Sequence, residues 1–317
     1  MYHGKMSLEI AEGLKELRKR IGAAKIPSSK LDETLNLATW NIREFGKSRR
    51  TEAAIHYIAE MIGQFDLVSI VELRDDLTDL GRVLPILGPY WHAVYSDVIL
   101  DAGGNRERIG FIYDKRAVAF TGLAASANPP RKKSGQEYVP EFTWWRLPYM
   151  ASFSAGNFDL VIITAHIRWG DSATARTAEI ESFARWLDLK RNQKHVEDKD
   201  IIITGDFNIE SPAMYEALTS SGLIAPAVLR KGDFGTNLAK DRRYDQILHF
   251  PIYDDSFMGK GGVLDFYTGG TAILFPGMAK ADFTFQLSDH LPLWVQINTD
   301  NDSHQLDQII RVKRARA

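Results

Sequence analysis

The chain contains no cysteine. Disulfides, thiolate metal sites and a cysteine nucleophile are therefore excluded, and any metal must be held by oxygen or imidazole. Long apolar runs are missing too. No window approaches the roughly 18 uninterrupted apolar residues of a membrane-spanning helix, so no span is expected. Met1–Ile26 has no apolar signal core either; Met6–Arg20 reads as a charged amphipathic helix, and a cytoplasmic location is the default expectation. An excess of one charge is also absent, with Lys+Arg 39 against Asp+Glu 41 and a net charge of −2. Bulk electrostatics neither announce a nucleic-acid binder nor exclude one, because a neutral chain can carry a basic groove. Internal repeats and low-complexity linkers are not found.

What is present is an ordinary globular composition: 317 residues, 44% hydrophobic and 25% charged. That is enough for a large core without staples. The expected division is an N-terminal helical extension over 1–30, a catalytic domain over 31–300 and a basic tail over 301–317. Short β-branched runs alternate with turn signals. Strands are expected at Leu35–Ile42, Leu67–Leu73, His92–Ile99, Arg108–Asp114, Met150–Ser154, Leu160–His166, Ile201–Gly205, Tyr244–Phe250 and Leu291–Ile297, with turns at 103–105 and 156–157. Helical spacing marks Thr51–Gln64, Leu77–Leu87, Ala173–Lys190 (capped near Asp171 or Ser172) and Pro212–Ser220. Ala124–Pro140, rich in Pro, Lys, Arg and Gly, reads as a loop. Val263–Leu274 reads as loop with a strand or two. About ten strands outside strict βαβ alternation favour two packed sheets with helices outside over a doubly wound parallel sheet.

The polar residues sit at telling places. Apolar runs end abruptly at Asn41, Glu72, His166 and Asp206-Phe-Asn208, and the last strand begins just after Asp289-His290. A charged group at the end of an apolar strand is held rigidly at a sheet rim, and neighbouring strands would make such groups converge. Each piece alone has a plainer reading. A lone Asp or Glu at a strand end is usually a solvated rim residue, a lone His is commonly a satisfied core or surface group, and Gly205-Asp206-Phe207-Asn208 has turn-forming composition. Joint occurrence, in order, lifts the set. Carboxylate and amide oxygens suit a hard cation, Mg²⁺ first, then Mn²⁺ or Ca²⁺. Two imidazoles beside it suit proton transfer near neutral pH. Phosphodiester hydrolysis needs both.

The same residues carry a resemblance. Thr39-Trp-Asn-Ile-Arg-Glu-Phe-Gly46, Val71-Glu-Leu-Arg-Asp75, Thr164-Ala-His166, Thr204-Gly-Asp-Phe-Asn208, Tyr244-Asp-Gln-Ile247 and Leu287-Ser-Asp-His290 resemble, in order, the motifs of the endonuclease/exonuclease/phosphatase superfamily over 35–298. Within it they are most similar to the deoxyribonuclease I branch. The resemblance implies a four-layered α/β sandwich and a magnesium-dependent phosphodiester hydrolase acting on DNA. It implies Glu72 as principal metal ligand with Asn41 beside it, and Asp206, Asn208 and Asp289 holding a second cation or the phosphate. It implies His166 and His290 as the acid/base pair, Glu107 partnering His166 and Asp245 orienting His290. Arg43, Arg74 and Arg146 match positions that approach DNA or its phosphates, though Arg74 also reads as a solvated partner of Asp75 or Asp76. Two departures stand out. Asn105 occupies the place of a groove-stacking tyrosine, and no structural calcium loop is recognisable. Arg131-Lys-Lys133 is expected either to track a phosphate backbone or to be a solvated loop. Trp144, Trp145 and Trp169 are expected to pack in the core or a hairpin before they stack on bases. Two alternatives stay open: an inositol-phosphate phosphatase or sphingomyelinase-like enzyme, and a nucleic-acid-binding module without catalysis.

Overall fold

A computed structural model describes residues 1–98, 106–170, 172–194, 200–251 and 256–300, together with residues 306, 310, 313 and 314. In chain order the elements are α1 (Leu8–Ala23), β1 (Thr34–Phe45), α2 (Glu52–Ile62), β2 (Leu67–Leu73), α3 (Thr78–Leu87), β3 (Trp91–Tyr95), β4 (Arg108–Asp114), β5 (Ala119–Ser126), β6 (Arg131–Ser134), β7 (Glu137–Pro140), β8 (Tyr149–Ala155) and β9 (Phe158–His166). They continue with α4 (Ala173–Arg191), β10 (Ile201–Asp206), α5 (Pro212–Thr219), α6 (Ala227–Lys231), β11 (Asp245–His249), β12 (Phe257–Val263), α7 (Lys280–Gln286) and β13 (Leu293–Asn298). The expected turn at 103–105, Asp171 as a helix cap, Asn105 and most of the basic tail lie outside the described residues.

The strands form a six-stranded sheet, β12-β13-β1-β2-β4-β3, and a five-stranded sheet, β11-β10-β9-β8-β5. Among the described residues, β1/β2 and β9/β10 are the strand pairs that run parallel; the other pairs are antiparallel. The sheets pack face to face through one core in which Leu35, Leu37 and Leu67 meet Leu160, Ile162 and Ile202. Helices α4 and α5 cover the outer face of the smaller sheet through Ile180, Phe183 and Leu218. Helices α1, α2, α3 and α7 cover the larger one through Leu17, Ile58, Val83 and Phe283. The result is a four-layered α/β sandwich.

Two readings of the sequence change. Residues 131–140 are not an open loop but a two-stranded ribbon, β6-β7, hydrogen-bonded to neither main sheet. Val263–Leu274 is loop as read, except that Val263 ends β12, and the loop read over Ala124–Pro140 also loses its first residues to β5. Strand β12 was not expected, and it runs at the edge of the larger sheet, where a Cβ at Gly261 would stand 2.8 Å from the Trp294 carbonyl oxygen.

The inner faces change character along their length. Their first layers are aliphatic. Next comes a buried hydroxyl layer: Thr39 stands opposite Ser69, and Thr164 opposite Thr204. Across the sheets, Ser69 Oγ lies 2.8 Å from Thr204 Oγ1, which lies 2.7 Å from Thr164 Oγ1, so these three hydroxyls satisfy one another, while Thr39 Oγ1 is buried without a hydrogen-bond partner. Two residues further on, the strand period brings Asn41, His166 and Asp206 to the same face, with Asp245 opposite Asp206. Gly205 permits this approach: it has φ +124°, and a Cβ there would stand 2.0 Å from the Ala165 carbonyl oxygen.

Helix α1 is fastened to the outer layer. Ile10, Leu14, Leu17 and Ile21 are buried against it, and Arg20 donates to the carbonyls of Phe266 and Gly270 at 2.8 and 3.0 Å. Ahead of the helix, His3 lies 2.8 Å from His56 and 2.7 Å from Glu60, which also accepts from Arg18. Burial raises the proton affinity of Glu60, but Arg18 and His3 outweigh it and hold the carboxyl below its ordinary value. His56 is held below its ordinary value by burial and then by His3, with Glu52 opposing and Arg82 reinforcing. Both groups therefore take up protons more readily when released. Their stabilisation is complete at neutral pH. The His56 part is lost as pH falls below 6.5, and the Glu60 part below 4.5. Hydrogen exchange at Tyr2–His3 and along α1, corrected for intrinsic rate, is expected to show several-fold more opening at pH 5 than at pH 7. Unchanged protection would show that this cluster does not anchor the segment.

Candidate active site

Asn41 sits at the junction of the two sheets. Its Nδ2 donates to Glu72 Oε1 at 2.9 Å and to Asp206 Oδ2 at 3.1 Å, tying a β1 residue to β2 and β10. Strict alternation would put Glu72 on the outer face with Val68 and Ile70. The register breaks between Ile70 and Leu73, and Glu72 adopts φ +60°. This irregularity turns its carboxylate inward. The other oxygen, Oε2, accepts the Glu44 backbone N–H at 2.8 Å. Asp206 Oδ1 accepts from the Asn208 backbone at 2.9 Å, and Asn208 Nδ2 donates to the Ile167 carbonyl at 2.8 Å. Asp289 and His290 are held against β1: Ser288 Oγ donates to the Asn41 carbonyl at 2.6 Å, and Trp40 Nε1 donates to the His290 carbonyl at 2.9 Å.

Two carboxylate–imidazole dyads flank Asp206. Glu107 Oε2 lies 2.9 Å from His166 Nδ1, and Asp245 Oδ2 lies 2.7 Å from His290 Nδ1. Each imidazole turns its Nε2 toward Asp206 Oδ2, both at 3.8 Å. A carboxylate on Nδ1 fixes the proton there and leaves Nε2 for chemistry. Burial and the Arg146 charge lower the proton affinity of His166, but Glu107 and Asp206 outweigh them and the net shift is upward. Burial opposes the charge on His290 too. Asp245 and Asp206 prevail, and its pKa is pushed up to about 10.

The donor set fits a hard divalent cation. Asn41 Oδ1 is buried with no hydrogen-bond partner, next to the Glu72 and Asp206 carboxylates that its amide nitrogen bridges. Half a turn of that amide would present oxygen in place of nitrogen. Asp206, Asp245 and His290 also place ligand atoms within 4.8 Å of one another. The direct 2.7 Å contact between Asp245 and His290 marks that pair as an acid–base dyad, so the Asn41, Glu72 and Asp206 side is the better cradle.

The cavity above these groups encloses about 450 Å³; Asn208 and Asp289 line it with the groups already named. Arg146 lines it too, binding Glu107 through Nε at 2.7 Å and Nη2 at 3.0 Å, while its buried Nη1 has no hydrogen-bond partner. Arg43 and Arg74 stand outside the lining. Arg43 donates to Thr284, stacks 3.9 Å over Phe285 and lies 3.9 Å from Asp289. The reading of Arg74 as a solvated partner of Asp75 or Asp76 is corrected. It is buried, 3.8 Å from Glu107 and 4.0 Å from Glu44, and Asp75 pairs with Arg106 at 3.1 Å. Of Trp144, Trp145 and Trp169, the first is buried, whereas Trp145 and Trp169 are exposed and line the cavity. Sequence reasoning missed Arg168 and Gly170 on the lining. Both follow β9 within four residues of His166, so the strand-end signal that marked His166 also pointed to them.

Comparison with known proteins bears on family and fold. The model of the endonuclease/exonuclease/phosphatase family matches residues 38–290. A deoxyribonuclease of Thioalkalivibrio sp. is 28% identical over 289 residues, covering 85% of this chain and 72% of that protein. Deoxyribonuclease-1 of Sus scrofa is 28% identical over 186 residues, 55% of this chain and 60% of that one, so the match spans about three fifths of the mammalian protein. Among solved structures, a mannosyl-6-phosphatase of Bacteroides thetaiotaomicron superposes with a TM-score of 0.53 at 17% identity, covering 83% of this chain and 99% of that one. Truncated TDP2 of Caenorhabditis elegans does so at 0.53 and 12%, covering 84% and 97%. At these identities the superpositions establish the fold alone. Among the described residues no helix is long and apolar enough to cross a membrane.

Asp206→Asn tests the cradle without an activity assay. The amide keeps an oxygen for the Asn208 N–H and removes one of the clustered carboxylates. With chelator present, the variant is expected to stay within about 1 kcal/mol of the parent. Mg²⁺ or Mn²⁺ should stabilise the parent by about 2.7 kcal/mol at a hundredfold its Kd, and the variant far less. An equal cation-dependent rise in Tm for both proteins would remove Asp206 from the cradle.

Proposed function

Because the chain belongs to the endonuclease/exonuclease/phosphatase family, we propose that it is a metal-dependent phosphodiesterase, specifically a deoxyribonuclease I-like endonuclease cutting DNA with little sequence specificity. The observation that carries the proposal is the pair of dyads, Glu107–His166 and Asp245–His290, facing Asp206 from either side at equal distance. In-line displacement at phosphorus has its entering and leaving oxygens on opposite sides of the phosphoryl group. A phosphate seated before Asp206 meets one imidazole on each side. One accepts the proton of attacking water, and the other donates a proton to the departing sugar oxygen.

In this reading Asn41, Glu72, Asp206, Asn208 and Asp289 hold cation and phosphate, with Glu72 the principal ligand. Bound there, Mg²⁺ (or Mn²⁺ or Ca²⁺, related hard cations) supplies positive charge against the phosphoryl oxygens. Arg146 offers its unbonded Nη1 to a phosphate oxygen from the Glu107 side. Arg43 approaches the flanking backbone, and the buried Arg74 adds positive charge behind Glu107. Such contacts position a strand without reading bases, hence the low sequence specificity. The names of the relatives support DNA as the substrate. The proposed catalytic domain is 31–300, with the 1–30 extension packed on its outer layer.

Supercoiled plasmid with Mg²⁺ tests the proposal. Nicking is expected, abolished by chelator and lowered by roughly 10²–10⁴ in His166→Ala and in His290→Ala. Plasmid left intact while inositol phosphates or another monoester are hydrolysed would replace the nuclease with a phosphatase. Retained DNA binding with no turnover of either would leave a binding module.

A further inference from the structure

The mouth of the cavity is aromatic on one side. Trp145 and Trp169 are 46% and 49% exposed, and both line the same cavity as His166 and Asp206. Neither is loosely held. The Trp145 backbone N–H donates to Glu179 at 2.9 Å, and the Arg168 guanidinium lies 3.8 Å over the Trp145 ring. The Trp169 ring meets Tyr244 edge-on at 5.6 Å, with the Arg176 guanidinium 4.6 Å from its centroid. Tyr244 in turn lies 5.8 Å from the His290 ring. Each indole thus has a guanidinium over one face and keeps about half of its surface open, beside the groups that would act on a phosphodiester.

We infer that Trp145 and Trp169 are stacking platforms for unpaired bases beside the scissile phosphate, so that the substrate is a single-stranded or locally opened strand rather than an intact duplex. The inference rests on the nuclease reading of the same site. Every base has a flat π face, so stacking is strong and indifferent to sequence. In a duplex those faces are covered by neighbouring bases, and a platform can take one only after the base has left the stack. The guanidinium of Arg168 over Trp145 adds a cation near the strand's phosphates and an electrostatic contribution to stacking.

The test uses the full chain with Mg²⁺ and four substrates: a labelled single-stranded oligonucleotide, the same strand annealed to its complement, the same single strand with abasic residues flanking one step, and bis(p-nitrophenyl) phosphate. The single strand should be cut about tenfold or more faster than the duplex, and the abasic step spared. Trp169→Ala and Trp145→Ala should each lower the ratio of ordinary to abasic-step cleavage by about tenfold, with Trp169→Phe restoring most of it. Equal rates on single strand and duplex, with abasic steps cut as readily as ordinary ones, would overturn the platforms while leaving a nuclease. Cleavage of bis(p-nitrophenyl) phosphate but of no oligonucleotide would overturn them and leave a phosphodiesterase of another substrate class. Cleavage of none of the four would overturn the nuclease reading and the inference with it.

Discussion

Asp206 is 1% exposed, and a second buried carboxylate, Asp245, stands directly opposite it in the sheet register. An isolated ionised carboxylate in such a place costs several kcal/mol after relaxation, and two together cost more. The fold answers with donors and positive charge from three neighbouring segments: the Asn41 amide from β1, His166 from the end of β9, and His290 from the loop before β13. Glu107, also buried, is met by Arg146 and His166. The surplus of carboxylate oxygen that remains around Asn41 Oδ1 is what makes the place suited to a cation. The site is therefore a packing problem between two sheets before it is a catalytic one: Asn41 must face Asp206 across the interface.

The hydroxyl layer of Ser69, Thr164 and Thr204 helps solve that problem. It is a polar step between the aliphatic core and the charged rim, it fixes the register of the two sheets, and it leaves no unpaired group among those three hydroxyls. Above it the backbone is held in an uncommon state. Glu44, Glu72 and Asn208 all adopt positive φ, at roughly 1–3 kcal/mol each. Hydrogen bonds compensate locally, the Glu44 N–H to Glu72 and the Asn208 N–H to Asp206. The strain turns acidic and amide groups toward one point that regular pleating would have scattered between two faces.

This explains which parts of the molecule were legible in the sequence. Asn41, His166 and Asp206 end apolar runs, and the period of two keeps them on the inner face, so pattern alone pointed at them. Both parallel pairs, and the order of strands around them, depend on contacts between residues far apart and were not visible. Glu72 was found as a strand end, but its face contradicts alternation; only the bulge accounts for it. The ribbon β6-β7 was hidden because Pro, Lys and Gly read as loop, and a ribbon outside the main sheets has no buried face to impose alternation. Arg74 was ambiguous because its adjacent acids, Asp75 and Asp76, are obvious partners in one dimension, whereas Glu107 and Glu44 reach it only in three.

A net charge of −2 must also be reconciled with the polyanionic substrate proposed for this chain. Charges more than about 8–10 Å away are largely screened at physiological salt, so a bound strand feels the mouth of the site and not the whole surface. The guanidinium groups on and around the cavity are partly committed: Arg146 on the lining faces Glu107, and outside it Arg74 faces Glu107 and Arg43 faces Asp289. Their attraction for phosphate is correspondingly diluted, and fewer counterions are released when a strand binds than a frankly basic groove would release. Binding free energy must then come from contacts that do not depend on net charge. In the proposed reading, the two half-exposed indoles beside the cavity are the source of such contacts, which would let a near-neutral protein hold a nucleic-acid strand long enough to cut it.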